Sequence, residues 1–372
     1  MRILGIERDT SACNNYRIVQ PLYKLREHGL ADTLTIGEWQ VETEEALNKV
    51  MESDVVVFQR PMNIDWFKFI KKCQEMGKII VSDYDDDPFN TNPLNPYYKQ
   101  IGVKEWTYKW PDGNVDNLWV DGEGDFDIER NIIRQDMFRA SFKKSDLVTT
   151  TTDELSGVFK KFSKNVAVLP NAIDFYYFKR PNMAKSEDEI RIGFQGGVSH
   201  YEDIYMVVEA VTEVLKKYRN TKFVYFGDFR FKNLFQGIPT SRVEHQSWVQ
   251  WIAYPYKLQL MNMDIGLCPL VDNEFNVHKS AIKHFDYASV GAATVASNML
   301  PYSNTIVDGK TGCLAKTKEE WIEKISKLVE DKKLRNDIQD NAYKDVYQNH
   351  NADKVAYKWR DAYKKLIDKK VE

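Results

Sequence analysis

Residues 274–297 read EFNVHKSAIKHFDYASVGAATVAS, and the reading of the fold starts from this stretch. Upstream of it, Ile265-Gly266-Leu267-Cys268-Pro269-Leu270 is an apolar run of the kind that a buried parallel strand requires. Ala281, Ile282, Phe285 and Ala288 then recur at helical spacing and define one apolar face, while Lys279, Lys283 and Asp286 fall on another. Gly291 is placed to end the helix, and Ala293-Thr294-Val295-Ala296 reads as the next strand. Strand, polar loop, helix, glycine, strand is the repeating unit of an open parallel sheet. Ligands of such sheets bind beyond the carboxyl ends of the strands, where helix N-termini point. A helix start bearing Lys279 and Ser280 suits a diphosphate, and Asp286, two turns on, suits a ribose diol. An ordinary βα unit with a solvated basic face carries the same pattern.

The 372 residues are 43% hydrophobic and 29% charged, an ordinary globular composition whose length suggests about two domains. A net charge of −3 gives no overall electrostatic footprint for nucleic acid or an anionic membrane. Cys13, Cys73, Cys268 and Cys313 are scattered without metal-ligand spacing and read as reduced thiols of a cytoplasmic protein. The chain opens on a strand, Arg2-Ile3-Leu4-Gly5-Ile6, rather than a signal peptide. Its apolar runs fall short of the roughly 20 residues a transmembrane segment needs. Aromatic residues reach 13%, which fits binding of sugars or bases as well as core packing.

In chain order, the polar loop after the first strand holds Asn15 and Arg17, with a helix expected from about Tyr16. Arg17 reads either as an anion ligand or as a surface residue capping the helix. Asp54–Arg60 and Lys78–Ser82 read as strands, the second followed by DYDDDPF with Asp85 and Asp86. Four carboxylates in five residues admit a divalent ion, or a loop ordered by carboxylates that cap amides. Residues 90–130 are too long for a simple connection and carry Tyr97, Tyr98, Trp106, Tyr108, Trp110 and Trp119. They read as an acceptor platform or as an insertion packed on its own aromatics. After strands at Leu147–Thr151 and Val166–Leu169 comes Pro170-Asn171-Ala172-Ile173-Asp174, then a charged linker over residues 180–189. The strand Ile190–Phe194 leads into Gln195-Gly196-Gly197-Val198-Ser199-His200, where a pair of glycines lets phosphates approach backbone amides. Trp248 follows a further strand region and reads mainly as core.

At these residues the chain resembles retaining GT-B glycosyltransferases, the family-4-like enzymes known as glycosyl transferases group 1. Phe275-Asn276, Lys279-Ser280, Lys283 and Asp286-Tyr287 fit the FN..KS..K..EY pattern of a subset. The DYDD stretch fits the same subset, while LPNAID and the turn VDGKTGCL resemble elements of the wider class. Where the class carries two glutamates, this chain has His278 and Asp286; the aspartate keeps a carboxylate, whereas His278 departs from the sugar-contacting residue.

The resemblance implies an α/β fold of GT-B architecture, two Rossmann-like doubly wound domains facing a cleft. Their expected extents are residues 1–175, with an aromatic insertion at about 90–130 and a C-terminal helix 354–372 packing back, and residues 176–353. It implies a cytoplasmic enzyme that takes a UDP- or GDP-sugar as co-substrate, needs no cofactor or metal, and transfers the sugar with retention to a glycan, lipid or small molecule. Expected catalytic residues are Lys279, His200 and His278. Expected donor ligands are Gly196, Gly197, Ser280, Asp286, Asn276 and, from the region meeting the nucleobase, Glu244. Expected acceptor or cleft residues are Arg17, Asn15, Asp85, Asp86 and Asn171. Transfer to hydroxymethylated bases of DNA by a viral enzyme, a degenerate nucleotide-sugar binder and a sugar-nucleotide epimerase are the alternatives.

Overall fold

A computed structural model describes residues 1–41, 43–110, 113–181 and 188–371. Most of the expected linker, residues 182–187, therefore lies outside the described residues. The chain divides into two compact units, one of Met1–Asn171, His278–Ser280 and Ala352–Glu372, the other of Ala172–Val277 and Ala281–Asn351.

The first unit contains, in chain order, β1 (Arg2–Glu7), β2 (Asp32–Gly37), β3 (Val55–Gln59), β4 (Ile79–Asp83), β5 (Trp106–Lys109), β6 (Val115–Trp119), β7 (Leu147–Thr150) and β8 (Val166–Val168). Six of them form a parallel sheet in the order β2-β1-β3-β4-β7-β8. The reversal of strand order between β1 and β3 makes a topological switch point, beyond which the polar loops after both strands emerge. Every residue of β3 and β4 is buried, as expected of strands covered by helices on both faces. Asn63 and Thr152 cap helices Ile64–Glu75 and Asp153–Phe159 by accepting a backbone N–H two or three residues inside the helix.

The first helix starts earlier than expected. Ser11 caps Ala12–Asn14, and a π turn over Asn15–Val19 leads into Gln20–Glu27. Tyr16, Arg17 and Ile18 are all buried, at 5%, 1% and 0% exposure. Three consecutive residues sweep about 200° around an ordinary α-helix, wider than a single buried stripe; the π turn accommodates them.

The insertion is partly regular: helix Tyr98–Ile101 and the antiparallel hairpin β5-β6. Tyr98, Trp119 and Phe126 pack together, and Trp119 Nε1 donates to the Pro93 carbonyl at 2.6 Å. Of the two readings of the insertion, packing on its own aromatics fits Tyr98 and Trp119, which form a small core with Phe126. Trp106 is 42% exposed.

The second unit holds β9 (Ile190–Gly196), β10 (Thr221–Gly227), β11 (Val243–Gln246), β12 (Ile265–Cys268), β13 (Ala293–Ser297) and β14 (Cys313–Ala315). All are parallel, in the order β11-β10-β9-β12-β13-β14. This is the Rossmann order, with its switch point between β9 and β12. The core lies between the sheet and helices Tyr201–Lys217 and Lys318–Glu330, around Phe194, Val211, Phe223, Leu267, Val295, Trp321 and Leu328. Among the described residues, no helix is long and apolar enough to cross a membrane.

Candidate active site

The helix expected from Lys279 onward is two pieces, Glu274–Val277 and Ile282–Ser289, separated by a turn at 278–281. Gly291 ends the second piece at φ +81°, the left-handed conformation that glycine adopts without strain. Lys279 and Ser280 therefore sit in an irregular loop after β12 rather than on a helix.

In the second unit, the loops after β9 and β12 flank the switch point. Gly196 closes β9, paired in register with Gly227 at the end of β10. Gly227 has φ +138°, and a Cβ there would meet the Gly196 carbonyl oxygen at 1.9 Å, so backbone passes against backbone at this end of the sheet. At Gly197 a Cβ would meet nothing within 4 Å. The 3-10 turn Val198–His200 then carries His200, whose Nδ1 lies 2.7 Å from Asp203 Oδ2. Asp203 is 4% exposed, and its other oxygen accepts from the Val271 amide at 2.9 Å and Asn276 Nδ2 at 3.3 Å. One carboxylate thus ties the loop after β9 to the loop after β12 and orients the imidazole. A ring donating from Nδ1 carries its lone pair on Nε2 when neutral and becomes a double donor when charged.

Three expected donor ligands already have partners within the fold of this unit. Asn276 is 4% exposed and holds the loop together through Asp203 and the Val271 carbonyl, so its amide serves the scaffold. Asp286 is 2% exposed, and its Oδ2 accepts from the Tyr254 hydroxyl at 2.8 Å. Glu244 lies near the start of β11, away from the carboxyl ends, in an ionic cluster with Lys222 at 2.7 Å and Arg191 at 3.0 Å. Burial pushes its carboxyl up, but hydrogen bonds from Lys222, Arg191 and Gln246 more than offset this and bring it to about 2. The aromatic at this sheet end is Trp248, 69% exposed and stacked on Phe226 with centroids 5.5 Å apart, not core.

In the first unit, the ends of β1, β3 and β4 bring charged residues together. Arg17, the expected anion ligand, is fully buried instead. Its Nε and Nη2 donate to the two oxygens of Asp83 at 2.9 and 2.7 Å, and its Nη1 donates to the Leu169 carbonyl at 2.5 Å and Asn171 Oδ1 at 3.1 Å. Trp359 of helix Ala352–Val371 covers the guanidinium, 4.9 Å from the ring centroid. Burial pushes the Asp83 carboxyl up more than Arg17 and Thr149 pull it down. Asn171 is a bridge, donating to Ser280 Oγ at 3.0 Å while accepting from Arg17. Asn15 is half-buried on the π turn.

Asp85 and Asp86 face Arg60, a residue that the sequence left as the polar end of β3. Arg60 has φ +47° and donates from Nε to Asp85 at 2.6 Å and from Nη2 to Asp86 at 3.3 Å. Burial raises Asp85, but Arg60 and a hydrogen bond from Cys13 bring it below the usual range. Asp86 lies above that range: burial raises it, nearby Lys279 offsets this in part, and Asp85 adds to the rise. Its side chain keeps 38% of its surface, so water screens that rise. Cys13 and both carboxylates offer ligand atoms within 4.8 Å of one another. Burial and Asp85 nevertheless push the thiol up, and Arg60 already neutralises the carboxylates, an arrangement that suits an ion pair better than a cation. His278 Nδ1 stands 2.8 Å from Asp87 Oδ2. Burial raises Asp87, but hydrogen bonds from His278, Asn90 and the Phe89 amide outweigh it and hold the carboxyl low. Thr152 donates to the His278 carbonyl at 3.1 Å, so this loop is fixed at both backbone and ring.

Residues 177–345 match the model of the family Glycosyl transferases group 1. No curated protein matches the chain in sequence. Several solved structures match it in fold over nearly its whole length. Anabaena HepE, solved in complex with UDP-glucose, superposes with TM-score 0.63 at 12% identity, covering 98% of this chain and 100% of that one. Sucrose-phosphate synthase from Thermosynechococcus elongatus gives 0.62 at 13% identity, covering 99% of each chain. A glycosyltransferase from Rickettsia africae gives 0.64 at 12% identity, covering 98% of each. At such identities the likeness concerns the fold. Residues 177–345 thus match the Glycosyl transferases group 1 family model, and the chain that carries them has the GT-B fold with its two six-stranded parallel sheets.

Proposed function

We propose that the protein transfers a sugar from a UDP-sugar to an acceptor hydroxyl with retention of anomeric configuration. The observation that carries the reading is the family match over residues 177–345, whose switch-point loops hold Gly196, Gly197 and the His200–Asp203 pair. HepE, similar in fold, was solved with UDP and with UDP-glucose, which favours UDP over GDP as the donor's nucleotide. In this reading the Gly196 and Gly197 amides and His200 stabilise the leaving diphosphate, joined by Lys279 and Ser280. No covalent nucleophile takes part: the departing diphosphate is stabilised while the acceptor hydroxyl attacks from the same face. Such catalysis rests on position and electrostatics. Trp248 offers an exposed face for the base.

The test is thermal shift and donor hydrolysis with UDP-glucose, UDP-N-acetylglucosamine and GDP-mannose. A donor at about 100 times its Kd stabilises the folded state by about 2.7 kcal/mol. Stabilisation by one UDP-sugar with slow hydrolysis, and an α-linked product by proton NMR, is the expected result. No response to any nucleotide refutes it. A second reading, a nucleotide-sugar binder without turnover, is favoured by His278, which stands where the class has a glutamate and is tied to Asp87; it predicts stabilisation with no hydrolysis and no transfer.

A further inference from the structure

Arg8, Arg130 and Arg134 of the first unit hold no carboxylate among the described residues and have no task in the donor chemistry. Arg8 leaves the end of β1 at the switch point. Its Nη1 donates to the Tyr97 hydroxyl at 3.0 Å, and its guanidinium lies 5.3 Å from that ring's centroid. Tyr97 opens the turn that contains Gln100, whose carbonyl accepts from Arg134 Nη1 at 3.1 Å. Arg134 Nη1 also donates to Asn131 Oδ1 at 3.0 Å. Arg130 precedes Arg134 by four residues on helix Ile128–Lys144, so the two share a face. Its Nη2 donates to the Asp125 carbonyl at 2.6 Å.

Every partner of these guanidinium groups is a neutral oxygen. Among the described residues, none of the three lies within ion-pair distance of a carboxylate, whereas Arg17, Arg60, Arg180 and Arg191 each hold one. The nearest carboxylates are already engaged: Asp127 accepts the Arg130 amide at 2.8 Å, and Asp125 lies 3.4 Å from Lys99. Burial, and then the charge of Arg130, lower the Arg134 guanidinium; Tyr97 and Asp127 oppose this in part, and Arg8 adds to it. Arg8 and Arg134 are half-buried and Arg130 is exposed. Like charges gathered and partly desolvated without a paired carboxylate are unfavourable alone and become favourable when an anion accepts their N–H groups. Parallel sheets bind ligands where β1 delivers Arg8.

We propose that Arg8, Arg130 and Arg134 bind an anionic group of the acceptor, a phosphate, sulfate or carboxylate. That the cluster binds an anion stands on these residues alone; that the anion belongs to the acceptor rests on the transferase reading.

The test is calorimetric titration of the full chain with inorganic phosphate. Wild type, the exposed-site variant R130Q, the double variant R8Q/R134Q and K279A are compared, with melting temperatures as the fold control. Expected is binding by wild type that weakens about threefold in R130Q and tenfold or more in R8Q/R134Q, whereas K279A loses only the phosphate held by the diphosphate loop and keeps this site. Equal affinity in wild type, R130Q and R8Q/R134Q overturns the proposal, as does loss confined to K279A. R130Q keeps the test open if the double variant fails to fold. Competition then separates the sources. Glycerol phosphate displacing phosphate better than glucuronate or methyl sulfate names a phosphorylated acceptor, and the reverse order a carboxylate or sulfate. Displacement by neutral glycerol or glucose as strong as by the anions overturns the acceptor assignment. Phosphate binding that is intact in a protein inert toward every UDP-sugar defeats the transferase reading and leaves the anion site standing.

Discussion

Removing Arg17 should unfold the first unit rather than disarm a ligand site. Methionine at position 17 keeps most of the stem's bulk but withdraws five N–H donors. It deletes two hydrogen bonds to Asp83, one to the Leu169 carbonyl and one to Asn171. It leaves the Asp83 carboxylate, 0% exposed, with the Thr149 hydroxyl at 2.6 Å. Breaking a buried ion pair from one side costs about 3–5 kcal/mol, because the surviving charge stays buried or takes up a proton. For a unit of roughly 200 residues, about 2–4 °C accompanies each kcal/mol, so a fall of about 10 °C in its transition is expected. Differential scanning calorimetry of wild type, R17M, D83L and the double variant R17M/D83L measures it, and the double variant should be more stable than the sum of the single losses predicts. R17M melting within 2 °C of wild type, roughly the effect of a single kcal/mol, while losing affinity for UDP or phosphate, would refute the structural role and restore the anion-binding one.

The other predictions concern the second unit and the loop at Lys279. His284 is wholly buried with Nδ1 2.9 Å from Thr294 Oγ1, and burial brings it down to about 3. The unfolded chain then binds the extra proton between pH 6.5 and 3. Stability is full above that window and falls on acidification, by about 2 kcal/mol at pH 5; denaturant midpoints of wild type and H284L compared at pH 7 and 5 test this, and an equal pH slope in both denies it. Gly227→Ala places a Cβ at 1.9 Å from the Gly196 carbonyl oxygen and should cost several kcal/mol with loss of UDP binding, whereas G197A, with open space, should leave the melting temperature within about 2 °C. Lys279→Ala should cut transfer by two or more orders of magnitude with the melting temperature unchanged; normal turnover removes Lys279 from the chemistry.

The strands were legible because burial on both faces leaves apolar runs, as in Val55–Gln59, Ile79–Asp83 and Ile265–Cys268. Gly291 was legible as a helix end because few other residues adopt its φ. Strand β2, DTLTIG, was missed, since an edge strand alternating Thr with apolar residues has no such run. The strands β5 and β6 of the insertion were not foreseen for a similar reason: their residues are mostly exposed and no core imposes a period. The break at residues 278–281 was hidden because the residues on either side keep a helical period. Partners were the hardest to see. Nothing local connects Arg17 with Asp83, Arg60 with Asp85, or Asp286 with Tyr254, which meet only once the sheets have formed. Residue types pointed toward the site, but which polar groups would be spent on the scaffold depended on these long-range meetings.

The π turn at Asn15–Val19 makes the first helix a counter of residues. Its one surplus residue sets the angular phase between the segment capped by Ser11 and the segment Gln20–Glu27 that follows. Deleting one residue from 15 to 19 would close the wide turn into an ordinary one and nearly keep that phase, whereas deleting one from 20 to 24, where no wide turn absorbs the change, would rotate Cys13 and Asn14 by about 100° relative to the rest. Asn14 would then swing away from Glu7, which it now reaches at 2.7 Å, and Cys13 away from the aspartates. A change of chain length here re-aims a side-chain array while helix content stays the same, so circular dichroism would miss a lesion that a pairwise distance measurement would find.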